Sequence, residues 1–133
     1  MKAGVIWKET TIFEGFNDKN SEKNFVKSDG PTPKHLFLQS IAGCTAIDVV
    51  GILEKMHSEM PTEFVVSVEG DLTENHPKVF KNFIMVYDVR GNVDPAKLKR
   101  AVKLSQENYC GISTMAKKIA PFEIKVVLNG NEI

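Results

Sequence analysis

Residues 33–55, PKHLFLQSIAGCTAIDVVGILEK, decide the fold of this chain. Between Leu36 and Leu53 the segment is apolar on nearly every helical face. Thr32 is the expected N-cap and Pro33 the expected first helical residue, and the helix should end at about His57. A chain of 133 residues has too little mass to cover such a helix on every side.

Composition excludes several classes of function. The apolar segment is short for a membrane span and contains Gln39, Ser40, Thr45 and Asp48, so we expect a buried helix of a soluble protein without membrane contact. The 17 basic and 17 acidic residues balance, which disfavours nucleic-acid binding. Two cysteines and no signal-peptide pattern predict a cytoplasmic protein, where a disulfide would be transient and catalytic.

The rest of the chain predicts one α+β domain over residues 1–133. A second helix should open at Asp94-Pro95, and Gly111 suits its C-terminus. A short third helix should begin at about Ser113. Strands grouped in antiparallel sets around helices are typical of α+β proteins. Period-two alternation places the strands at 3–7, 11–16, 25–26, 64–72, 79–89 and 122–128.

The two cysteines are the candidate reactive groups. Cys44 lies within the first helix and Cys110 follows the second, so packed helices can bring the thiols together. One thiol could then attack a substrate and the other resolve the product, as in a thiol redox centre. The alternative is that both are small core residues, because free cysteine is among the most buried residue types.

Asp48 lies one helical turn after Cys44 and should face the same side. Burial and this carboxylate should both raise the pKa of Cys44, so a thiolate needs a compensating cation. Asp48 is either part of a reactive site or a polar group paired at an interface. We predict no metal site and no cofactor, because the three histidines show no ligand spacing with either cysteine.

Two motifs carry a resemblance to a known family. The central helix, with Gly43-Cys44 four residues before Asp48, resembles the central-helix motif of the OsmC/Ohr family. LSQENYCGIS, residues 104–113, resembles the second cysteine motif of that family. ENHPKVF, residues 74–80, matches the OsmC-like branch. The similarity covers nearly the whole chain, although residues before Gly30 agree only in strand pattern.

The resemblance implies an intertwined homodimer in which antiparallel sheets wrap a long buried central helix. It also implies a cysteine peroxidase of oxidative-stress defence, in which Cys44 attacks an organic hydroperoxide and Cys110 resolves the sulfenic acid to a disulfide. A dithiol of unknown identity would then reduce the disulfide.

Active members of the family use a loop arginine, held by a glutamate ten residues before the first cysteine, to stabilise the thiolate. Here Lys34 takes the glutamate position and residues 1–33 contain no arginine, so Lys34 becomes the candidate cation. The main alternative is a non-catalytic dimer that binds a small apolar or thiol-reactive ligand. An acyl thioesterase with a central helix is a third hypothesis, which Asp48 alone does not support.

Overall fold

The computed structural model describes all 133 residues, which form two compact units, residues 1–37 and 38–133. The first unit holds three antiparallel strands in sequence order, with a tight turn at Thr10-Thr11 between the first two. The strands are β1 (Ala3–Glu9), β2 (Ile12–Asn17) and β3 (Asn24–Lys27). The three expected N-terminal strands are therefore confirmed, and the single-domain expectation stays a prediction.

Helix α1 (Pro33–Lys55) begins where the sequence predicts. Thr32 caps it by accepting a hydrogen bond from the backbone N–H of His35 at 3.3 Å. The helix ends at Lys55, two residues before the expected position, because His57 adopts a positive φ of 51°. By length and composition alone α1 could also cross a membrane, a test that core helices of soluble proteins pass as well.

The chain buries only one stripe of α1. The fully buried residues recur every four positions: Ile41, Thr45, Val49 and Leu53. Ile47, by contrast, is 76% exposed and Val50 is 38% exposed. The expected apolar helix is confirmed, but a single chain leaves some of its apolar side chains exposed to solvent.

The second unit contains a mixed four-stranded sheet in the order β4-β5-β6-β7. Its strands are β4 (Glu63–Glu69), β5 (Phe83–Arg90), β6 (Phe122–Leu128) and β7 (Asn131–Glu132). The expected antiparallel pairing holds for every neighbouring pair of strands except one, because β5 pairs with β6 in parallel. The intervening helices provide the crossover that a parallel pair requires. The α+β class is confirmed.

Strand β5 is shorter than predicted because the segment before it is held as a loop. The sequence indicates a strand over 79–89, whereas β5 begins at Phe83. Asn82 donates a side-chain hydrogen bond to Asp71 at 2.8 Å, and Leu72 and Phe80 form an isolated bridge. Alternate residues of β5 are fully buried, as the alternation predicts: Phe83, Met85, Tyr87 and Val89.

The helical connection differs from prediction at its end. Asp94 caps α2 (Pro95–Leu104) by accepting from two backbone N–H groups, as expected. A π-helical turn (Ser105–Tyr109) follows, and α3 (Gly111–Lys117) begins directly after Cys110. The prediction that Gly111 ends α2 is wrong: the break lies at Cys110, which is extended at φ −77° and ψ 93°, and Gly111 is the first residue of α3.

Candidate functional site

Three reactive side chains from two distant segments of the sequence meet in the second unit. The thiol sulfurs of Cys44 and Cys110 and a carboxylate oxygen of Asp48 all lie within 4.8 Å of one another. Helix α1 carries Cys44 and Asp48 one turn apart, and the break between the π-helical turn and α3 carries Cys110. Neither cysteine forms a disulfide. The two thiols meet as predicted, while their catalytic roles stay a prediction.

The two cysteines differ in access to solvent. Cys44 and Asp48 are half-buried, whereas Cys110 is only 1% exposed. A small molecule arriving from solvent would therefore reach Cys44 before Cys110.

The first turn of α3 supplies hydrogen bonds to both sulfurs. Ser113 donates its backbone N–H to Cys110 Sγ at 3.3 Å, and the Cys110 thiol donates to Ser113 Oγ at 3.1 Å. The backbone N–H of Ile112 donates to the Cys44 sulfur. Because a backbone N–H favours a thiolate, this contact opposes the other influences on Cys44.

The pKa of Cys44 is raised above its ordinary value. The largest cause is burial of the thiol, followed by its hydrogen bond with Cys110. The negative charge of Asp48 raises the pKa further, and the N–H of Ile112 lowers it. The predicted effects of burial and Asp48 are confirmed. No positively charged side chain is among these influences, and Lys34 is exposed in the first turn of α1.

A chain of buried hydroxyl groups ends at Asp48. Ser105 donates to Asp48 Oδ2 at 2.9 Å, since a carboxylate oxygen only accepts. Ser105 has one proton, so Thr45 must be the donor in the 2.8 Å bond between them. By the same reasoning Tyr87 donates to Thr45 at 2.6 Å and accepts from Gln106 Nε2 at 2.8 Å. The hydroxyl groups of Tyr87, Thr45 and Ser105 thus each donate their proton in the direction of Asp48.

Burial fixes the protonation state of Tyr87, the tyrosine in this chain of hydroxyl groups. It raises the pKa of Tyr87 to about 12, and the hydrogen bonds of its hydroxyl with Thr45 and Gln106 only partly offset this rise. Tyr87 therefore remains a proton donor at neutral pH. Its position keeps the chain of hydroxyl groups oriented.

Sequence reasoning missed this polar network, although part of its signal was present. Thr45 occupies the buried stripe of α1, where every other member is apolar. Ser105 lies at helical spacing from the apolar residues Leu98, Ala101 and Val102, a spacing that predicts an inward position, and it is fully buried. Gln106 gave no such signal, because the π-helical turn that directs it inward interrupts the helical periodicity.

An open, mainly apolar groove lies beside Asp48. Its volume is about 430 Å³ and Asp48 forms part of its wall, but neither cysteine lines it. Apolar side chains supply most of the lining, including Ile47, Ile52, Met56, Leu104 and Tyr109.

Sequence comparison matches this chain to one family. The model of the family described as OsmC-like protein matches residues 26–125. Protein YhfA of Escherichia coli K12 is 31% identical over 125 residues, a match that covers 89% of this chain and 90% of YhfA.

Solved structures share the fold. A hypothetical protein from Aquifex aeolicus VF5 superposes with a TM-score of 0.87 at 26% identity, over 96% of this chain and 95% of that one. An organic hydroperoxide resistance protein OsmC from Legionella pneumophila superposes with a TM-score of 0.67 at 14% identity, over 95% of each chain. The second likeness is one of fold alone.

Proposed function

This chain belongs to the OsmC-like protein family, and from that premise we propose that it is a thiol peroxidase that reduces organic hydroperoxides. The observation that carries the proposal is the contact between two free thiols, one half-buried and one buried. The Legionella pneumophila protein of the same fold is an organic hydroperoxide resistance protein, which supports this choice of substrate.

The difference in access to solvent supports the roles that we propose for the two cysteines. Cys44 is the more exposed sulfur, so it attacks the terminal oxygen of the hydroperoxide as a thiolate. The O–O bond breaks, the alcohol leaves after taking up a proton, and Cys44 becomes a sulfenic acid. The Cys110 sulfur then attacks the Cys44 sulfur, which forms a disulfide and releases water. A dithiol reductant restores both thiols by exchange and is itself oxidised to a disulfide.

The groove beside Asp48 favours a substrate with an apolar body. Its apolar lining would remove the organic part of a hydroperoxide from water, a gain that hydrogen peroxide cannot make. We therefore expect an aryl or alkyl hydroperoxide to oxidise the thiols faster than hydrogen peroxide does at equal concentration.

Mass spectrometry of the oxidised protein tests the proposal. One equivalent of cumene hydroperoxide, added to reduced and metal-free protein, should remove two hydrogens and yield a peptide that links Cys44 to Cys110. Cys44→Ser is the matched control and should keep its mass. Thiols that survive the hydroperoxide unchanged in the folded protein would refute the peroxidase.

A second candidate function is a non-catalytic binding protein. The raised pKa of Cys44 favours it, because a protonated thiol is a poor nucleophile and no cation is among the influences on that pKa. In that case the groove beside Asp48 would bind a small apolar ligand, and the experiment above would leave both thiols reduced.

A further inference from the structure

We propose that Cys44, Cys110 and Asp48 form a binding site for a thiophilic divalent cation, namely zinc. Two sulfurs and a carboxylate oxygen lie within 4.8 Å of one another. Thiolate and carboxylate are both zinc ligands, and three protein ligands with a water in the fourth position are typical of an open tetrahedral zinc site. The sequence alone gave no such indication, because the ligands come from two distant segments and include no histidine.

The spacing of the donor atoms suits a small ion. Zinc lies about 2.3 Å from sulfur and about 2.0–2.2 Å from oxygen, so tetrahedral ligands are roughly 3.4–3.8 Å apart. The donors of this cluster need to approach one another by roughly 1.0–1.4 Å at most to reach that spacing. Rotation of the half-buried Cys44 and Asp48 side chains on adjacent turns of α1 can supply the adjustment.

The surroundings of Asp48 resemble those of a metal-bound carboxylate. Ser105 donates a hydrogen bond to Asp48 Oδ2 at 2.9 Å, and the buried chain of hydroxyl groups orients Ser105. Hydrogen bonds of this kind orient metal ligands and commonly contribute 10–100-fold to affinity, by the order of magnitude known for outer-shell partners. The groove that reaches Asp48 gives room for the water in the fourth position.

Charge also favours a cation here. The three ligands include a carboxylate. A divalent ion would replace the two thiol protons, which leave to the buffer. The bound form is then one zinc ion with two thiolates and one carboxylate, and its net charge is −1.

The site would link metal binding to the oxidation state of the thiols. A disulfide sulfur is not a thiolate ligand, so oxidation and zinc binding exclude each other. This regulatory consequence rests on the proposed peroxidase, whereas the binding itself does not. A hydroperoxide and two protons would convert the zinc-bound dithiolate to the disulfide, free Zn²⁺, an alcohol and water. Zinc would thus remain bound to the two thiolates until their oxidation by a hydroperoxide releases the ion.

Cobalt provides a direct test of the site. Reduced protein, freed of metal with a chelator and kept without oxygen, is titrated with Co²⁺ and then with Zn²⁺ in competition. We expect one ion per chain, a thiolate-to-cobalt charge-transfer absorption that Zn²⁺ removes, and release of two protons per ion by calorimetry in buffers of different ionisation enthalpy. Protein oxidised with diamide, which needs no peroxidase activity, should bind no metal at this site.

Variants identify the ligands. Cys44→Ser, Cys110→Ser and Asp48→Asn should each weaken binding more than about tenfold, and Ser105→Ala should weaken it by about 10–100-fold. Asp29→Asn, an exposed carboxylate of the first unit, is the matched control and should bind like wild type. Circular dichroism verifies that each variant is folded.

Two results would overturn the site. One is cobalt binding without the thiolate absorption, and the other is equal affinity in wild type and folded Cys44→Ser. If the serine variants fail to fold, zinc protection of both wild-type thiols against alkylation decides the question, and unprotected thiols would refute the site. Peroxide oxidation of the metal-free protein is measured separately, so failure of the zinc site and failure of the peroxidase can be distinguished.

Discussion

At the residue scale, the reactivity of Cys44 depends on a balance between burial, Asp48 and one backbone N–H. The first two oppose the thiolate and the N–H of Ile112 favours it. For an acid, a raised pKa means that the group stays neutral to higher pH than it would in the unfolded chain. Peroxide chemistry at Cys44 should therefore accelerate as pH rises toward the raised pKa.

Alkylation measured against pH tests this balance. The Cys44 peptide, followed by mass spectrometry, should be modified half-maximally at a higher pH than an ordinary free cysteine. Asp48→Asn removes a negative charge beside the sulfur, so its profile should move to lower pH. An unshifted profile in a folded Asp48→Asn protein would show that the carboxylate does not influence the thiol.

Lys34 is tested by the same measurement. If its flexible ammonium group supplies the missing cation, Lys34→Met should slow alkylation of Cys44 at neutral pH. Lys99→Met, an exposed lysine on α2, is the matched control. An unchanged rate in Lys34→Met, together with a Cys44 thiol of ordinary or raised pKa, would remove Lys34 from the site and favour the binding protein over the peroxidase.

Mutation of each cysteine should distinguish the role of Cys44 from that of Cys110. Cys110→Ser should consume about one equivalent of cumene hydroperoxide and stop, because Cys44 becomes a sulfenic or further oxidised acid without a resolving thiol. Cys44→Ser should consume none above the rate of the buffer. Measurement of residual hydroperoxide after a defined time distinguishes them, and equal consumption by wild type and Cys44→Ser would contradict the assigned roles.

At the scale of the elements, the polar network links α1, β5 and the π-helical turn through Tyr87. Its hydroxyl bonds to Thr45 at 2.6 Å and to Gln106 at 2.8 Å in a fully buried setting. Removal of the hydroxyl leaves both partners buried with one bond fewer. The cost of such a change is about 1–3 kcal/mol.

Tyr87→Phe should accordingly lower the free energy of unfolding by about 1–3 kcal/mol. Urea denaturation followed by circular dichroism measures the change. Tyr109→Phe is the matched control, because the other tyrosine of the chain is 65% exposed and should change stability little. Equal free energies of unfolding for the two variants would mean that the buried hydroxyl of Tyr87 does not stabilise the fold.

Patterns within single elements predicted most of this architecture. The caps at Thr32 and Asp94 and the alternation along β5 depend on neighbouring residues, so the sequence displays them directly. The parallel pairing of β5 with β6 depends on where the helical crossover places the last strand, which no local pattern records. The π-helical turn was missed because helical spacing into Ser105 gives no sign of the break at Cys110.

The candidate site was predictable only in part for the same reason. The spacing of Cys44 and Asp48 on one helix follows from the sequence, and the cysteine motifs pointed to Cys110. The hydroxyl chain and the three-ligand cluster depend on contacts across 42 to 66 residues of sequence. Such contacts arise from tertiary packing rather than from any local pattern.

At the scale of the whole molecule, one chain leaves large apolar groups exposed. In the second unit, Ile47 of α1 is 76% exposed. In the first unit, Ile6 and Trp7 of β1 are 50% and 64% exposed. Exposed apolar groups that lie together on an element commonly mark an interface. Dimerisation would bury them, and obligate dimers often have no stable folded monomer.

We therefore expect a homodimer that dissociates only with unfolding, and Ile47→Glu tests this. In an isolated chain the substitution replaces a side chain that is already 76% exposed, so a true monomer should tolerate it. In a dimer that buries Ile47, an unpaired charge would enter an apolar interface at a cost of several kcal/mol. Sedimentation at micromolar concentration should give a dimer for wild type and for Gln39→Glu, a control at an exposed polar position of α1. Ile47→Glu should give an unfolded or dissociated chain, and a folded wild-type monomer would contradict the dimer.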